Sequence, residues 1–559
     1  MLVGLMAVAL LALLLPLSTV AAGDSRMAGL FSTDEQLIAD GVYTMVKHHT
    51  VKYRFFWYPP FFMMCAAGAA SGLERLGLPL ATAAVVGPRV VASLAHAAAM
   101  VAVAGLGRSL SGRAAVGLVA AGLFASTPEL FRFAFLAHPD TLQIALLVAS
   151  AWLVVGYLEH GKSWQLMSGS AVAGLAFVTK YAGAFLVPPI AAAIVWRWWR
   201  DREAGASAPP FWRVLLRRGG GAAAAFVAAG IAGGPTLVLQ LPQFVERIRF
   251  HSWYSGFGAF VKENRSGAVW LQLLADRELW GPVVIGALGV GGVVLSAVAL
   301  RVRRRTVIET GGDQRRPYLP GYAFVAVTAF GYLAFLIGRA RMFELRYLFP
   351  ISGAIEVLAV GGLVLWPGAR GGPVRRLVER GLLVLVLALG VAPRLPGLGQ
   401  SVGAQLARVG DPCLAVGRWL LAHVPTETAL VYDMYTYVPA AFVDIANTFG
   451  LQERLIEAHR APVVITNDSI RGRYRMQVDP EQWFEGPAAF LGAKAAYAKL
   501  ERGELGDLAL VAEFPECRAT RIYASRAWSS ASGERGAPRS RRSAGAPSSG
   551  PGTPHRVTY

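Results

Sequence analysis

The stretch FSTDEQLIADGVYTMV (31–46) follows an N-terminal apolar run at 2–22 and carries the adjacent acids Asp34 and Glu35. The aromatic segment KYRFFWYPPFFMM (52–64) comes next in the chain. Because the apolar run is long enough to cross a bilayer, the two acids lie just beyond a predicted membrane span. Two carboxylates in this position, followed by aromatic side chains, indicate a polar centre at a membrane surface.

The composition is that of an integral membrane protein. Of 559 residues, 54% are hydrophobic and 16% are charged, and the mean hydropathy is +0.45, a value that ordinary soluble domains do not reach. The formal net charge of +19 lies mostly in short basic clusters between apolar stretches. This is the pattern that sets membrane topology, so we exclude nucleic acid as a partner and expect the lipid bilayer instead.

The basic clusters predict the topology. The run at 2–22 is interpreted as a retained span, because no Lys or Arg precedes it and it is longer than a usual signal-peptide core. Placing the basic loops in the cytoplasm predicts a multi-pass protein of the plasma or inner membrane, with a cytoplasmic N-terminus. The eleven predicted spans are 2–22, 84–106, 114–134, 140–158, two short helices within 164–196, 219–240, 280–300, 319–338, 348–366 and 381–397.

The membrane domain, predicted over 1–399, has a long first external loop at 23–83. Within this loop, residues 59–76 are expected to form a helix along the outer membrane surface. An external or periplasmic α/β domain is predicted over 400–527, and the Ser-, Gly-, Pro- and Arg-rich tail 528–559 is expected to be disordered. The predicted strands of the external domain lie in 422–433, 462–468 and 505–514, and its predicted helices in 413–424 and 484–502.

The cysteine content is low. Three cysteines in 559 residues exclude a disulfide framework and a zinc ribbon. Cys413 and Cys517 both fall in the predicted external domain, where a disulfide persists. Either a disulfide between them or two unpaired buried thiols is consistent with the sequence.

A short set of polar residues lies next to the predicted external ends of the spans. Carboxylates at such positions suit activation of a hydroxyl group or metal binding. Arg and Lys suit a phosphate group, and aromatic faces suit sugar rings and lipid chains. A lipid-linked sugar phosphate matches all three chemistries together. The residues concerned include Asp34, Glu35, Lys52, Arg54, Tyr58, His138, Asp140, Lys180, Arg346 and Tyr347.

Five short motifs stand in a characteristic order: TDEQ (33–36), YPP (58–60), AHPD (137–140), GLAFVTKYAGAFLVPP (174–189) and ELRYLFP (344–350). In this order the chain resembles polytopic glycosyltransferases with the GT-C fold, of the dolichyl-phosphate-mannose mannosyltransferase and aminoarabinose transferase type. The resemblance implies transfer of a sugar, a hexose or a pentose, from a polyprenyl-phosphate carrier to a glycan, lipid or protein acceptor on the outer face, with inversion.

The resemblance also implies roles for individual residues. Asp34 becomes the expected catalytic carboxylate, with Glu35 as its catalytic neighbour, and Lys180 and Arg346 are expected to bind the carrier phosphate. His138 departs from the family pattern, since many relatives have Arg or another residue there. No cofactor and no protein metal ligand are assigned, and a divalent metal requirement stays open. The remaining expected substrate-binding residues are Tyr58, His138, Asp140 and Tyr347.

Each of these assignments has a structural alternative. Asp34 and Glu35 are also suited to the start of a helix over 35–47, where acids are favourable. His138 and Asp140 are suited to capping the next span, and Tyr58 to a turn before the surface helix. Lys180 and Arg346 are suited to anchoring span ends at lipid headgroups.

Two other function classes fit a polytopic chain. A transporter or flippase of lipid-linked or anionic solutes predicts ionisable residues deep inside spans, or broken helices in repeated halves. The sequence shows no such repeat. A non-catalytic anchor for the external domain does not require eleven spans. Glycosyl transfer is therefore the favoured hypothesis, with the transporter as its alternative.

Overall fold

The computed structural model describes most of the chain. The described residues are 34–52, 58–203, 209–258, 262, 264–274, 276, 319–364, 373–407, 411–436, 438, 439, 442, 445–476 and 479–528. They separate into two compact units, residues 1–411 and 412–559. The predicted spans 2–22 and 280–300 and the tail 529–559 lie outside the described residues.

The first unit is helical. Its helices are α1 (Glu35–Lys47), α2 (Pro60–Arg75), α3 (Leu80–Ser111), α4 (Ala114–Ala125), α5 (Pro128–Phe133), α6 (Asp140–His160), α7 (Ser163–Phe177), α8 (Val187–Glu203), α9 (Phe211–Val214), α10 (Gly220–Gly233), α11 (Thr236–Leu239), α12 (Leu241–Phe257), α13 (Val269–Leu273), α14 (Leu319–Arg339), α15 (Phe349–Val364), α16 (Pro373–Val391) and α17 (Leu395–Ala407). Short 3₁₀ segments occupy Tyr181–Leu186, Leu345–Leu348 and Ala392–Arg394, and a π-helical turn occupies Leu215–Gly219.

Within the described residues, six helical stretches have the length and apolar character of a membrane span. They are Leu80–Ser111, Asp140–His160, Tyr181–Glu203, Phe211–Gly233, Pro320–Arg339 and Arg380–Ala407. A polytopic helical membrane protein is therefore confirmed. The full count of eleven spans, the direction of insertion and the membrane concerned stay predictions.

The predicted span 114–134 is helical in two pieces rather than one. Helix α4 ends at Ala125, and Thr127 adopts an extended conformation before Pro128, which begins α5. A residue before proline avoids the helical region because the proline ring contacts its backbone. The break places the segment between Phe133 and Asp140, which carries His138, at the end of a short helix.

The second unit is an α/β unit, which confirms the fold class predicted for the end of the chain. Its elements are α18 (Leu414–His423), β1 (Leu430–Asp433), β2 (Ile445–Thr448), α19 (Glu453–His459), β3 (Val463–Thr466), α20 (Asp468–Arg475), α21 (Pro487–Arg502), β4 (Leu508–Phe514) and β5 (Thr520–Ser525). The sheet order is β2-β1-β3-β5-β4. Strand β1 pairs in parallel with β2 and β3, whereas β5 pairs antiparallel with β3 and β4.

Cys413 and Cys517 form a disulfide in this unit. It joins the residue before α18 to the turn that precedes β5. The sequence was consistent with a disulfide or with two unpaired thiols, and the structure has the disulfide.

A buried carboxyl group makes the second unit sensitive to pH. Asp433, at the end of β1, is fully buried; it accepts a hydrogen bond from the Tyr497 hydroxyl and one of 3.2 Å from the Asn467 amide. Burial raises the pKa of Asp433 to about 7, although both hydrogen bonds and nearby arginines lower it. The folded unit therefore holds a proton that an unfolded chain releases near pH 3.9.

We expect the free energy of unfolding of this unit to fall as the pH rises from about 4 to 7, by roughly 1–4 kcal/mol. Hydrogen exchange of peptides from β1 and β3 in the full-length protein measures this change. Asp433→Asn cannot ionise and should remove most of the pH dependence, whereas Glu504→Gln, at an exposed carboxylate, should keep it. Equal pH dependence in wild type and Asp433→Asn would show that another group titrates.

Candidate active site

Asp34 is held by side chains from distant parts of the chain. Its Oδ2 atom accepts a 2.8 Å hydrogen bond from the Tyr58 hydroxyl and lies 3.3 Å from Nη1 of Arg346. It also lies 3.4 Å from Nε2 of His138. Asp34 is the residue before α1, but its side chain makes no capping hydrogen bond to that helix. Its carboxylate therefore faces a polar cluster, and its side chain is 19% exposed.

His138 connects Asp34 to a second acid. Its Nε2 atom lies 2.8 Å from the Tyr58 hydroxyl and 3.2 Å from Nη1 of Arg346. Its Nδ1 atom pairs with the carboxylate of Asp140, and both side chains are fully buried. Asp140 is the first residue of α6, with Pro139 as its N-cap, so the two side chains that meet lie on either side of Pro139.

Lys180 completes this line of charges. Its ammonium lies 2.6 Å from Oδ1 of Asp140, and its side chain is 17% exposed. The residue is extended, with φ −162° and ψ 136°, at the junction between α7 and the following 3₁₀ segment. Gln143 also donates a 3.1 Å hydrogen bond to the Lys180 carbonyl oxygen. The predicted helical hairpin over 164–196 thus brings Lys180 to the cluster.

The 3₁₀ segment before α15 supplies the second cation. Nε of Arg346 lies 2.5 Å from the carboxylate of Glu344. The Lys180 ammonium and the Arg346 guanidinium lie over the ring of Tyr347, at 5.2 Å and 5.6 Å from its centroid. Two cations therefore lie near the same aromatic ring, and Arg346 also contacts Asp34. Sequence reasoning did not select Glu344, although it lies within the ELRYLFP motif.

Glu35 faces away from this cluster. Its carboxylate is almost fully buried and accepts hydrogen bonds of 2.9 and 2.8 Å from Nε and Nη2 of Arg89. Its Oε1 atom also accepts a 2.7 Å hydrogen bond from the Ala137 amide. The structure therefore brings together Asp34, Tyr58, His138, Asp140, Lys180, Arg346 and Tyr347, and it places Glu35 behind them. Arg89 was missed because it lies in a long apolar helix without a neighbouring motif.

The electrostatics keep Asp34 ionised. Burial raises the pKa of its carboxyl group, but the hydrogen bonds of His138 and Tyr58 and the positive charge of Arg346 outweigh burial. The net result is a pKa well below the usual range of an aspartate. A carboxylate held in this way orients a hydroxyl group and becomes a stronger base when its hydrogen-bond donors move to another anion.

An apolar groove is lined in part by the segments that follow Lys180 and Arg346 in the chain. It lies between α3, α6, α14, α15 and the 3₁₀ segment after Lys180, and its lining includes Phe185, Leu186, Tyr332, Pro350 and Ile351. The lining is almost entirely hydrocarbon, which suits an apolar chain rather than a polar solute. The segments that carry Lys180 and Arg346 thus continue directly into the groove.

No group of three or more His, Cys, Asp and Glu side chains that could hold a metal ion occurs among the residues that the structure describes. The carboxylates of Asp34 and Asp140 are instead paired with Arg346 and Lys180. The described geometry is therefore that of alternating acids and cations.

The family model of dolichyl-phosphate-mannose-protein mannosyltransferase matches residues 73–208. This range includes Arg89, His138, Asp140 and Lys180 but not Asp34 or Arg346. A search of curated proteins by sequence returned no match. The sequence similarity thus covers one part of the membrane domain.

Solved structures are similar over nearly the whole chain. ArnT from Cupriavidus metallidurans in the apo state superposes with a TM-score of 0.59 at 15% identity, covering 94% of this chain and 97% of ArnT. ArnT bound to undecaprenyl phosphate gives 0.56 at 13% identity, with the same coverage. The apo oligosaccharyltransferase of Archaeoglobus fulgidus gives 0.55 at 11% identity, covering 91% and 80%. The GT-C fold predicted from the motif order is confirmed.

Proposed function

We propose that this protein is a membrane glycosyltransferase that moves a sugar from a polyprenyl-phosphate carrier to an acceptor hydroxyl group. One observation carries the proposal: Asp34, Lys180 and Arg346 belong to one partly exposed cluster, and the segments that follow the two cations in the chain line an apolar groove. Each comes from a different segment of the chain. We place the reaction on the outer face of the membrane, as the predicted topology requires.

The two cations and the groove fit the two halves of the donor. An ammonium has three N–H donors and a guanidinium has five, so Lys180 and Arg346 have capacity for a phosphate beyond their present carboxylate partners. Phe185 and Ile351 in the groove would contact the isoprenoid chain of the same molecule. The undecaprenyl phosphate named for the ArnT structure has this combination of an anionic head and an apolar tail.

The proposed reaction is a single displacement with inversion at the anomeric carbon. The acceptor oxygen forms a bond to that carbon while the bond from the carbon to the phosphate oxygen breaks. The polyprenyl phosphate leaves with the bonding electron pair, and Lys180 and Arg346 stabilise its charge. The proton of the acceptor hydroxyl passes to Asp34. The reaction needs no separate general acid, because phosphate is a competent leaving group.

The neighbouring side chains prepare Asp34 for this role. Tyr58 and His138 fix its carboxylate by contacts of 2.8 and 3.4 Å. When a donor phosphate attracts Arg346, Asp34 loses a positive neighbour and becomes more basic. Asp140 keeps His138 and Lys180 in place, since it contacts both. The same anion that brings the sugar would thus activate the base.

A buried ion pair among the helices bears on the transporter alternative, because a transporter predicts ionisable residues deep inside spans. Glu356 of α15 and Arg394 are fully buried and 2.9 Å apart. Arg394 also donates hydrogen bonds to the carbonyl oxygen of Leu123 and to Ser126. These contacts tie α15 and the end of α4 to the 3₁₀ segment Ala392–Arg394, so the pair is explained without a transport path.

Mass spectrometry of envelope glycans and lipid-linked sugars, in cells with and without the gene, tests the proposal. Loss of the gene should remove one glycosylated product and accumulate its polyprenyl-phosphate sugar. Restoring the wild-type gene should restore the product. Loss of a transporter of the same lipid-linked sugar would give the same result in cells. The purified protein must therefore form the product in detergent, where no transport is required. Failure of the purified protein to do so, given the accumulated donor and the acceptor, would contradict the proposal.

A further inference from the structure

We infer that Glu35 and Arg89 are positioning residues that fix Asp34 against His138, an inference that rests on the proposed sugar transfer. Glu35 follows Asp34 in the chain, and its Oε1 atom accepts a 2.7 Å hydrogen bond from the amide of Ala137. Ala137 precedes His138. One carboxylate therefore connects the backbones of two residues whose side chains meet in the cluster.

Arg89 anchors this carboxylate to α3. Its Nε and Nη2 atoms donate to the two oxygens of Glu35 at 2.9 and 2.8 Å, and both side chains are almost fully buried. A second tie lies one turn along the same helix, where the Ser93 hydroxyl donates a 2.8 Å hydrogen bond to the Ala134 carbonyl oxygen. Helix α3 thus holds both the start of α1 and the segment leading to His138.

Glu35 acts through the hydrogen bond that its Oε1 atom accepts from the Ala137 amide rather than through its charge. Well-packed apolar residues often replace a buried ion pair without loss of stability. Apolar side chains cannot, however, accept the hydrogen bond of the buried Ala137 amide. Removing that acceptor leaves the amide unpaired and frees the segment before His138 to shift. A shift of about 1 Å in a catalytic arrangement is enough to cost up to about a hundredfold in rate.

The second buried pair, Glu356 and Arg394, is a matched control. Its Nη2–Oε1 distance is 2.9 Å and both side chains are fully buried, which is close to the 2.8 Å Nη2–Oε2 distance and the burial of the Glu35–Arg89 pair. Its described partners are Leu123 and Ser126, which are not part of the cluster around Asp34. Weakening this pair is expected to lower the stability of the membrane domain through contacts that do not include the Asp34 or His138 side chain.

The experiment compares Arg89→Lys with Arg394→Lys in cells that lack the native gene. Two quantities are measured. The first is the rate, per protein molecule, at which the cells form the glycosylated product again. The second is the affinity of each purified variant for undecaprenyl phosphate. Lys keeps the positive charge but cannot bind both Glu35 oxygens in the same plane. We expect Arg89→Lys to lower the rate about tenfold and to change the affinity less than twofold. Arg394→Lys should lower the amount of folded protein but keep the rate per molecule.

A double variant separates position from charge. In Glu35→Gln with Arg89→Met, the Gln oxygen still accepts the Ala137 hydrogen bond and no buried charge is left unpaired. This variant should recover most of the rate lost in Arg89→Met alone. If Arg89→Lys and Arg394→Lys both keep the wild-type rate per molecule while Asp34→Asn loses activity, the positioning inference is wrong and the proposed function stands. If Asp34→Asn itself keeps full activity, the proposed catalytic role fails first.

Discussion

Replacement of Asp34 by Asn is expected to slow sugar transfer at least about a hundredfold, because a positioned general base contributes about 10²- to 10⁴-fold. Asn has nearly the same shape and still accepts a hydrogen bond from Tyr58. Folding should be little affected, since the Asp34 side chain makes no capping hydrogen bond to α1. What disappears is the negative charge and the basic oxygen. The initial rate of product formation per inserted protein molecule measures the effect.

The control for this variant is Glu74→Gln, at an exposed acid on α2, which should transfer sugar at the wild-type rate. Asp34→Asn should also bind undecaprenyl phosphate at least as well as wild type, because a negative charge beside the phosphate site is removed. A near wild-type rate for Asp34→Asn would remove Asp34 from the mechanism. Asp140, whose carboxylate contacts His138 and Lys180, would then be the next candidate.

Loss of either phosphate-binding cation should weaken use of the lipid donor about ten- to a hundredfold, since a charge-assisted contact contributes about 1.5–3 kcal/mol. The variants are Lys180→Ala and Arg346→Ala, and the measurement is the donor concentration that gives half-maximal transfer. Lys180→Arg should retain most of the affinity, because it keeps the charge over Tyr347. Unchanged donor use in both alanine variants would show that these residues anchor span ends at the membrane interface.

The motif order predicted which side chains converge. Sequence alone indicated a helix over 35–47, which the structure has at Glu35–Lys47, and a hairpin turning at Lys180. The resemblance made Asp34 the expected catalytic carboxylate with Glu35 as its catalytic neighbour, but the sequence could not show that Glu35 faces away from the site, because neighbouring residues at a helix start point in different directions. That choice is made by Arg89, whose contact with Glu35 spans 54 positions of the chain. No local pattern encodes such a contact.

Other differences have local causes. The helix break before Pro128 divides the predicted span 114–134, because proline restricts the residue before it. Strand β2 was missed because it has only four residues, IANT, and these are partly polar. The disulfide between Cys413 and Cys517 depended on their distance in space, which spacing in the chain does not give.

The most direct measurement is a comparison of undecaprenyl phosphate with undecaprenol, the same lipid without the phosphate, as ligands of the purified protein. The cluster of Lys180, Arg346 and Tyr347 predicts that the phosphate lipid binds at least about tenfold more tightly. The preference should disappear in the Lys180→Ala, Arg346→Ala double variant while undecaprenol binding persists. Equal binding of the two lipids to wild type, or an intact phosphate preference in the double variant, would contradict a polyprenyl-phosphate site at this cluster.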